Sequence, residues 1–164
     1  RLAAEKSNWG NAESGVHQGF SAYYSHNTYV AEVADVIPMK DKLKIRKFTC
    51  AIDCGIVVNP VGAINQAQGG IIDGIGHALF GNLTFNNGEP QMNNFDKYRL
   101  IRISEAPDDV EIHFVQSYND PTGLGEPTLP PAAGALANAL FAATGNRFYK
   151  QPFIQEMANL SQTL

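Results

Sequence analysis

The sequence predicts an α+β fold, a mixed or antiparallel sheet with two buried helices, from three observations. Stretches rich in aromatic and β-branched residues alternate over 15–36 and 42–55. Two long segments, 59–81 and 129–145, carry helix-start and helix-stop residues instead. Strand and helix signals then mix without the regular period of a βαβ protein.

The elements follow in order. "GVHQGFSAYYSHNTYVAEVADV" (15–36) reads as two strands around "SHN". "KLKIRKFTCAIDCG" continues as a third, with Leu43, Ile45, Phe48 and Cys50 alternating only approximately. Asn59 is a suitable N-cap and Pro60 belongs in a first turn, so a helix starts there, runs to about Phe80 and stops near Gly81. "GNLTF" and "EPQMN" flank "NNG", a hairpin signal. "VEIHFVQS" (110–117) is a further strand, and "PFIQEMANL" closes the chain as a short helix after Pro152. No internal repeat or low-complexity segment interrupts this order.

Composition bounds the function. A chain of 164 residues with 44% hydrophobic content can bury a real core, and we expect one soluble globular domain over 1–164. A net charge of -4, with "MKDKLKIRK" (39–47) as the most basic run, argues against nucleic acid as the main partner. The apolar run Leu129–Thr144 is shorter than the ~20 residues of a membrane span and contains two prolines and a glycine, so it reads as a buried helix. The opening "RLAAEKSNWG" has no initiator Met and no targeting character, which suggests an internal piece, a processed product or an artificial boundary. Cys50 and Cys54 lack the second half of a zinc site and are expected as small core residues; they leave the redox compartment open.

The glycines of the first long helix raise a sharper question. At 100° per residue, Ile64, Ile71, Ile75, Ala78 and Leu79 share one arc and can face a core. The opposite arc carries Gln66, Gly69, Gly70, Asp73, Gly76 and His77, with Gly74 at its border. Four interior glycines give up ~3 to 4 kcal/mol of helix propensity. Missing side chains are useful where something approaches the backbone closely, either a neighbouring helix or a bound ligand. Gln66, with two donors and an acceptor, is best suited on that arc to hold a ligand's polar edge.

In the second helix Asn138 is the only polar side chain between Leu129 and Ala143, so enclosure all round is expected. Pro130 and Pro131 fit its first turn, and Gly145 its C-terminal stop. Glu126 therefore stands just before a buried helix, where backbone N–H groups favour a carboxylate and burial opposes it. Such a group can be a general base or a mere cap. Competing chemistries lack their residues. No G-x-S-x-G elbow or H-E-x-x-H appears, and His17, His26, His77 and His113 are scattered, mostly as surface residues. "NLT" (82–84) and "NLS" (159–161) match the glycosylation pattern, which is short enough to occur by chance.

"GLGEPTLPPAAGALANALFAATGNR" resembles the C-terminal signature of the molybdenum hydroxylases, the xanthine dehydrogenase and aldehyde oxidase family. "CAIDCGIVVNPVGAINQAQGGIIDGIGHALFG" and "MNNFDKYRLIRISEAP" resemble its preceding blocks, in the family's order and over about Trp9 to Pro152. The likeness is greatest to the molybdopterin-binding beta subunit of the isoquinoline 1-oxidoreductase type. A lone "GEP" would carry no such weight, since Gly88, Glu89 and Pro90 repeat it in a hairpin turn. The resemblance implies that Glu126 is the base at molybdenum, that Gln66 contacts the cofactor ahead of Gly69 and Gly70, and that Gly125 lets backbone approach the metal centre. It implies oxidation of an aldehyde or N-heterocyclic small molecule with water-derived oxygen.

The implied cofactor is molybdenum-molybdopterin, in its cytosine dinucleotide form. The pterin dithiolene holds that metal, so no protein metal-ligand set is expected. Two electrons would leave through iron-sulfur clusters on a separate small subunit, whose cysteine sets are absent here. The family's catalytic subunit is several times longer, and its other pterin-binding loops have no counterpart in this sequence. The chain is thus expected to be a C-terminal segment that partners the remainder of that subunit, binds no cofactor alone and is inactive in isolation. No targeting signal chooses between bacterial cytoplasm and periplasm. The alternative is a non-catalytic assembly or interaction module that retains the fold.

Overall fold

The structure, a computed structural model, describes residues 1–39 and 42–161, with side chains for all of these but 42, 43 and 159–161. Lys40 and Asp41 of the basic run, and the side chains of the second glycosylation pattern, lie outside the described residues. The main sheet has four strands, β1 (His17–Ser25), β2 (Thr28–Met39), β3 (Lys42–Asp53) and β6 (Asp109–Phe114), in the order β1-β2-β3-β6. The first three are antiparallel, whereas β6 runs parallel to β3, so the sheet is mixed. A parallel neighbour requires a long crossover, and α2 (Pro60–Phe80) occupies that connection. Asn59 caps α2 through its side chain, accepting from Gly62 N–H at 3.1 Å. The "NNG" hairpin forms as β4 (Phe85–Asn86) and β5 (Glu89–Pro90), shorter than its flanking sequences suggest, with Asn87 and Gly88 both at positive φ.

Helices α2 and α3 (Leu129–Thr144) cover one face of the sheet, and α4 (Phe153–Ser161) packs against α2. Their core joins Val30, Ala34, Phe48, Cys50 and Ile52 of the sheet to Ile71, Ile75, Ala78 and Leu79 of α2, and to Ala132, Leu136, Ala139 and Leu140 of α3. Ile64 is only half-buried, and Cys54 joins the core just past the end of β3. Close approach is obtained by removing side chains. A Cβ at Gly19 of β1 would stand 2.0 Å from Ala139 N, and one at Gly74 of α2 would stand 2.3 Å from Leu129 O. Two helix amides reach carbonyls of the outer strands. Gln68 Nε2 donates to Val110 O and Asn138 Nδ2 to Phe20 O, each at 2.9 Å.

Three features depart from the sequence reading. Helix α3 is not enclosed all round: Pro130, Asn138 and Ala142, four or eight residues apart, form an exposed stripe, because only one of its sides meets the sheet and α2. A short helix α1 (Leu2–Lys6) lies on the opposite face, with Ala3 buried against Val33 and Ala51; five residues are too few to show a period. Finally, "VEIHFVQS" is strand only as far as Phe114; Val115 N–H still reaches Ile52 O at 2.8 Å before the chain turns away. Among the described residues no helix is long and apolar enough to cross a membrane.

The core contains one ionisable anomaly. Glu32 of β2 faces Cys50 of β3 in register, between Val30 and Ala34, and is fully buried. The Cys50 thiol donates to Glu32 Oε1 at 3.8 Å, and Oε2 has no partner among the described residues. Burial pushes the Glu32 carboxyl well above the usual range, and burial together with Glu32 pushes the Cys50 thiol up. A raised acid pKa means that the folded chain holds a proton the unfolded chain releases. Stability is therefore full below the unfolded carboxyl pKa and falls as pH rises toward the folded value, by about 1.4 kcal/mol per pH unit. Glu32→Gln should remove that slope above the ordinary carboxyl range, measured as wild type minus variant in urea unfolding; equal slopes would mean that Glu32 is ionised in the fold.

Candidate functional site

The site is assembled where the 115–128 segment crosses the end of the sheet and the middle of α2. Main-chain contacts fasten the segment in steps: Ile56 N–H to Asn119 O at 3.0 Å, Thr122 N–H to Cys54 O at 2.9 Å, and Gly123 N–H to His26 O at 3.1 Å. Beneath it, buried Thr28 donates its hydroxyl proton to Gly123 O at 2.6 Å. That proton is then committed, so Thr122 is the donor in the 2.7 Å contact between the two threonine hydroxyls.

Gly125 has φ 100 and ψ -80, a conformation closed to L side chains. It turns the chain into a 3₁₀ turn, Glu126–Thr128, which leads directly into α3. Buried Thr128 ties this turn to α2, its hydroxyl lying 3.1 Å from Ala67 O and 2.7 Å from Gly125 O. A Cβ at Gly70 would stand 2.3 Å from Thr128 Oγ1 and 2.6 Å from Gly125 O, so this contact requires glycine at 70. Gln66, one turn earlier, overhangs Gly125, with its Oε1 3.2 Å from where a Cβ there would sit.

Four of the five expected residues thus meet: Gln66 and Gly70 from α2, Gly125 and Glu126 from the loop. The glycines divide by cause. Gly70, Gly74 and Gly76 abut Thr128, Leu129 and Ile101 respectively, so packing accounts for them. Gly69 has nothing within 4 Å of a built Cβ and faces open space. Two grooves of about 250 Å³ begin beside these residues. One runs from Gln66 past Gly62 and Asn59 to Cys54, walled by Pro121, Thr122 and Leu124. The other runs from Gly69 past Asp73, Gly76 and His77, walled by Tyr98 to Ile101. Gln66 is exposed, and among the described residues nothing hydrogen-bonds its amide.

Two expectations about Glu126 are corrected. Its side chain is 84% exposed rather than buried, because the 3₁₀ turn carries it outward ahead of α3. It is also not a cap: neither the turn nor α3 has a side-chain cap hydrogen bond. His26 Nε2 lies 3.5 Å from its Oε2. His26 occupies the β1–β2 turn, and nothing in the sequence pairs residue 26 with residue 126. No group of three or more His, Cys, Asp or Glu that could hold a metal occurs among the described residues.

Comparison with known proteins gives this arrangement a context. The family described as molybdopterin cofactor-binding domain matches residues 2–107. The chain belongs to this family. The matched range contains Gln66, Gly69 and Gly70 and ends before Gly125 and Glu126. An alignment with isoquinoline 1-oxidoreductase subunit beta of Brevundimonas diminuta includes them, at 28% identity over 99% of this chain and 22% of that protein. A membrane-bound aldehyde dehydrogenase [pyrroloquinoline-quinone] of Gluconacetobacter polyoxogenes is 37% identical over 65% of this chain and 14% of its own length. The chain therefore spans less than a quarter of either relative. Quinoline 2-oxidoreductase from Pseudomonas putida 86 shares the fold, with a TM-score of 0.72 at 20% identity over 82% of this chain and 19% of that one. This molybdopterin-binding domain is thus of the molybdenum hydroxylase type, with the α+β architecture of those enzymes.

The division of the glycines is testable in the domain itself. Gly70→Ala should destabilise it by about 1 to 3 kcal/mol despite the better helix former, since Thr128 and the Gly125 carbonyl are in the way. Gly69→Ala should stabilise it by about 1 kcal/mol. Urea denaturation of both variants checks the assignment, and equal effects would overturn it.

Proposed function

We propose that this domain forms part of the active site of a molybdenum-dependent hydroxylase, with Glu126 as general base. The substrate would be an aldehyde or N-heterocycle, oxidised with oxygen derived from water. The observation that carries the reading is the meeting of Gln66 and Gly70 with Gly125 and Glu126, some sixty residues apart in sequence, where α2 meets the 115–128 segment. The donor set suits molybdenum-molybdopterin. The free Gln66 amide can hold a polar edge, and Gly69 is bare of any protein contact that would explain it. When bound, the group supplies the redox centre that takes two electrons from substrate.

The chain's own residues do the remainder. Gln66 orients the cofactor's polar edge; Gly69 and Gly125 leave room for backbone approach; Glu126 accepts the proton. An exposed carboxylate on a backbone fixed by Thr128 and Gly123 is a suitable acceptor, accessible and held in place. The cytosine dinucleotide form of the cofactor and a small iron-sulfur subunit as electron acceptor belong to the same proposal. So does the remainder of the catalytic subunit. Tyr118 and Ile103 are 99% and 97% exposed, and Val58, Phe95 and Tyr149 about 80%, which favours burial against further protein. The isolated chain is accordingly inactive.

Molybdenum and pterin should be absent from the chain purified alone and present when it is joined to the rest of its parent protein. In the joined form Glu126→Gln should lower kcat by at least 10²-fold with cofactor content retained, and Gly69→Ala should lower cofactor content. Absence of cofactor from both forms, or turnover indifferent to Glu126→Gln, would leave a non-catalytic assembly module.

A further inference from the structure

We infer that His26 is a positioning residue for Glu126, orienting the carboxylate through Nε2–H while Ser25 fixes the tautomer of the ring. Its functional meaning rests on the reading of Glu126 as the base. Three independent features of the chain lead to it.

The first is the seat of the imidazole. His26 and Asn27 form the two-residue turn between β1 and β2, with φ 53 and 58. Such turns favour Asn-Gly, and histidine is among the few non-glycine residues that tolerate this conformation, so the turn holds the imidazole at a fixed place. The second is the approach of the catalytic loop. Gly123 N–H donates to His26 O at 3.1 Å, and a Cβ at Gly123 would lie 2.4 Å from His26 Cβ. The first glycine of "GLGEP" is therefore required by His26, as the second is required by its own backbone angles. One main-chain contact fixes the spacing between the two side chains.

The third is hydrogen-bond chemistry. His26 Nδ1 lies 2.8 Å from Ser25 Oγ, and Nε2 lies 3.5 Å from Glu126 Oε2. A carboxylate offers no donor, so a bare Nε2 lone pair turned toward it would be repelled. The proton belongs on Nε2, which leaves Nδ1 to accept from the Ser25 hydroxyl. At 3.5 Å the pair stands at the outer limit of a hydrogen bond. The exposed Glu126 side chain is free to close that gap by rotation. With Oε2 so engaged, Oε1 remains the oxygen that takes the proton in the proposed reaction.

The test reads the ring directly and needs no cofactor. Long-range ¹H–¹⁵N spectra of the chain, recorded on its neutral imidazole rings, give the ratio of Nε2–H to Nδ1–H forms at His26. Glu126→Ala should lower that ratio at least threefold. An unchanged ratio, or an Nδ1–H form prevailing in the wild type, overturns the inference. Should Glu126→Ala fail to fold, Ser25→Ala should lower the same ratio, and no change there also overturns it. In the joined protein, His26→Asn suits the left-handed turn and removes only the ring; it should lower kcat about tenfold with KM unchanged. The two readings separate cleanly. A tautomer ratio that does not move while Glu126→Gln abolishes turnover defeats this inference alone; a ratio that moves while Glu126→Gln leaves turnover intact defeats the catalytic reading and the positioning role with it.

Discussion

The structure depends on one contact made possible by the absence of a side chain: the seating of the Gly125–Thr128 turn against α2 at Gly70. Thr128 is fully buried, its N–H donating to Gly125 O and its hydroxyl lying between the Ala67 and Gly125 carbonyls, and the space it needs is the space a Cβ at position 70 would take. Everything after the turn inherits its placement. Helix α3 begins where the turn ends, crosses α2 at Gly74 and settles onto β1 at Gly19, so three glycines, two in α2 and one in β1, set how near the layers come. Dense packing of this kind has little tolerance for added volume, which is why the helix accepts poor propensity at Gly70, Gly74 and Gly76.

That explains which parts of the fold were legible in the sequence. The limits of α2 are written locally, in the Asn59 cap, Pro60 and the break at Gly81, and they appear where the residues place them. The same holds for the β1–β2 turn and the stop at Gly145, whose φ of 74 is the conformation glycine tolerates. Helix α1 leaves no such trace, and the exposed stripe on α3 follows from what does not cover it, a fact no single segment encodes. Alanine at 142 and proline at 130 look as apolar in sequence as the buried Ala132 and Leu136 beside them.

The candidate site was legible in its glycines and acid but not in its surroundings. The wheel marks Gln66 and its glycine neighbours because a bare helix face is anomalous, yet it cannot divide Gly70, filled from outside by Thr128, from Gly69, filled by nothing in this chain. The exposure of Glu126 was misread because a 3₁₀ turn intervenes before α3, and such turns have no period to detect. His26 was out of reach altogether, since its nearness to residue 126 is created by the hydrogen bond of Gly123 to a hairpin one hundred residues earlier. Glu32 was invisible for a related reason: in an alternating strand it occupies an inward position that a hydrophobe would normally hold.

The two amides that reach the sheet's outer strands have a bearing on how the molecule meets others. β1 and β6 are the rims of the described sheet, and an unpaired rim presents carbonyls to any passing extended chain. Asn138 occupies the Phe20 carbonyl on one rim and Gln68 the Val110 carbonyl on the other. An incoming strand would meet an amide side chain already seated over one carbonyl of each rim. The same two residues that hold the helices on the sheet therefore also crowd its edges against the addition of another strand.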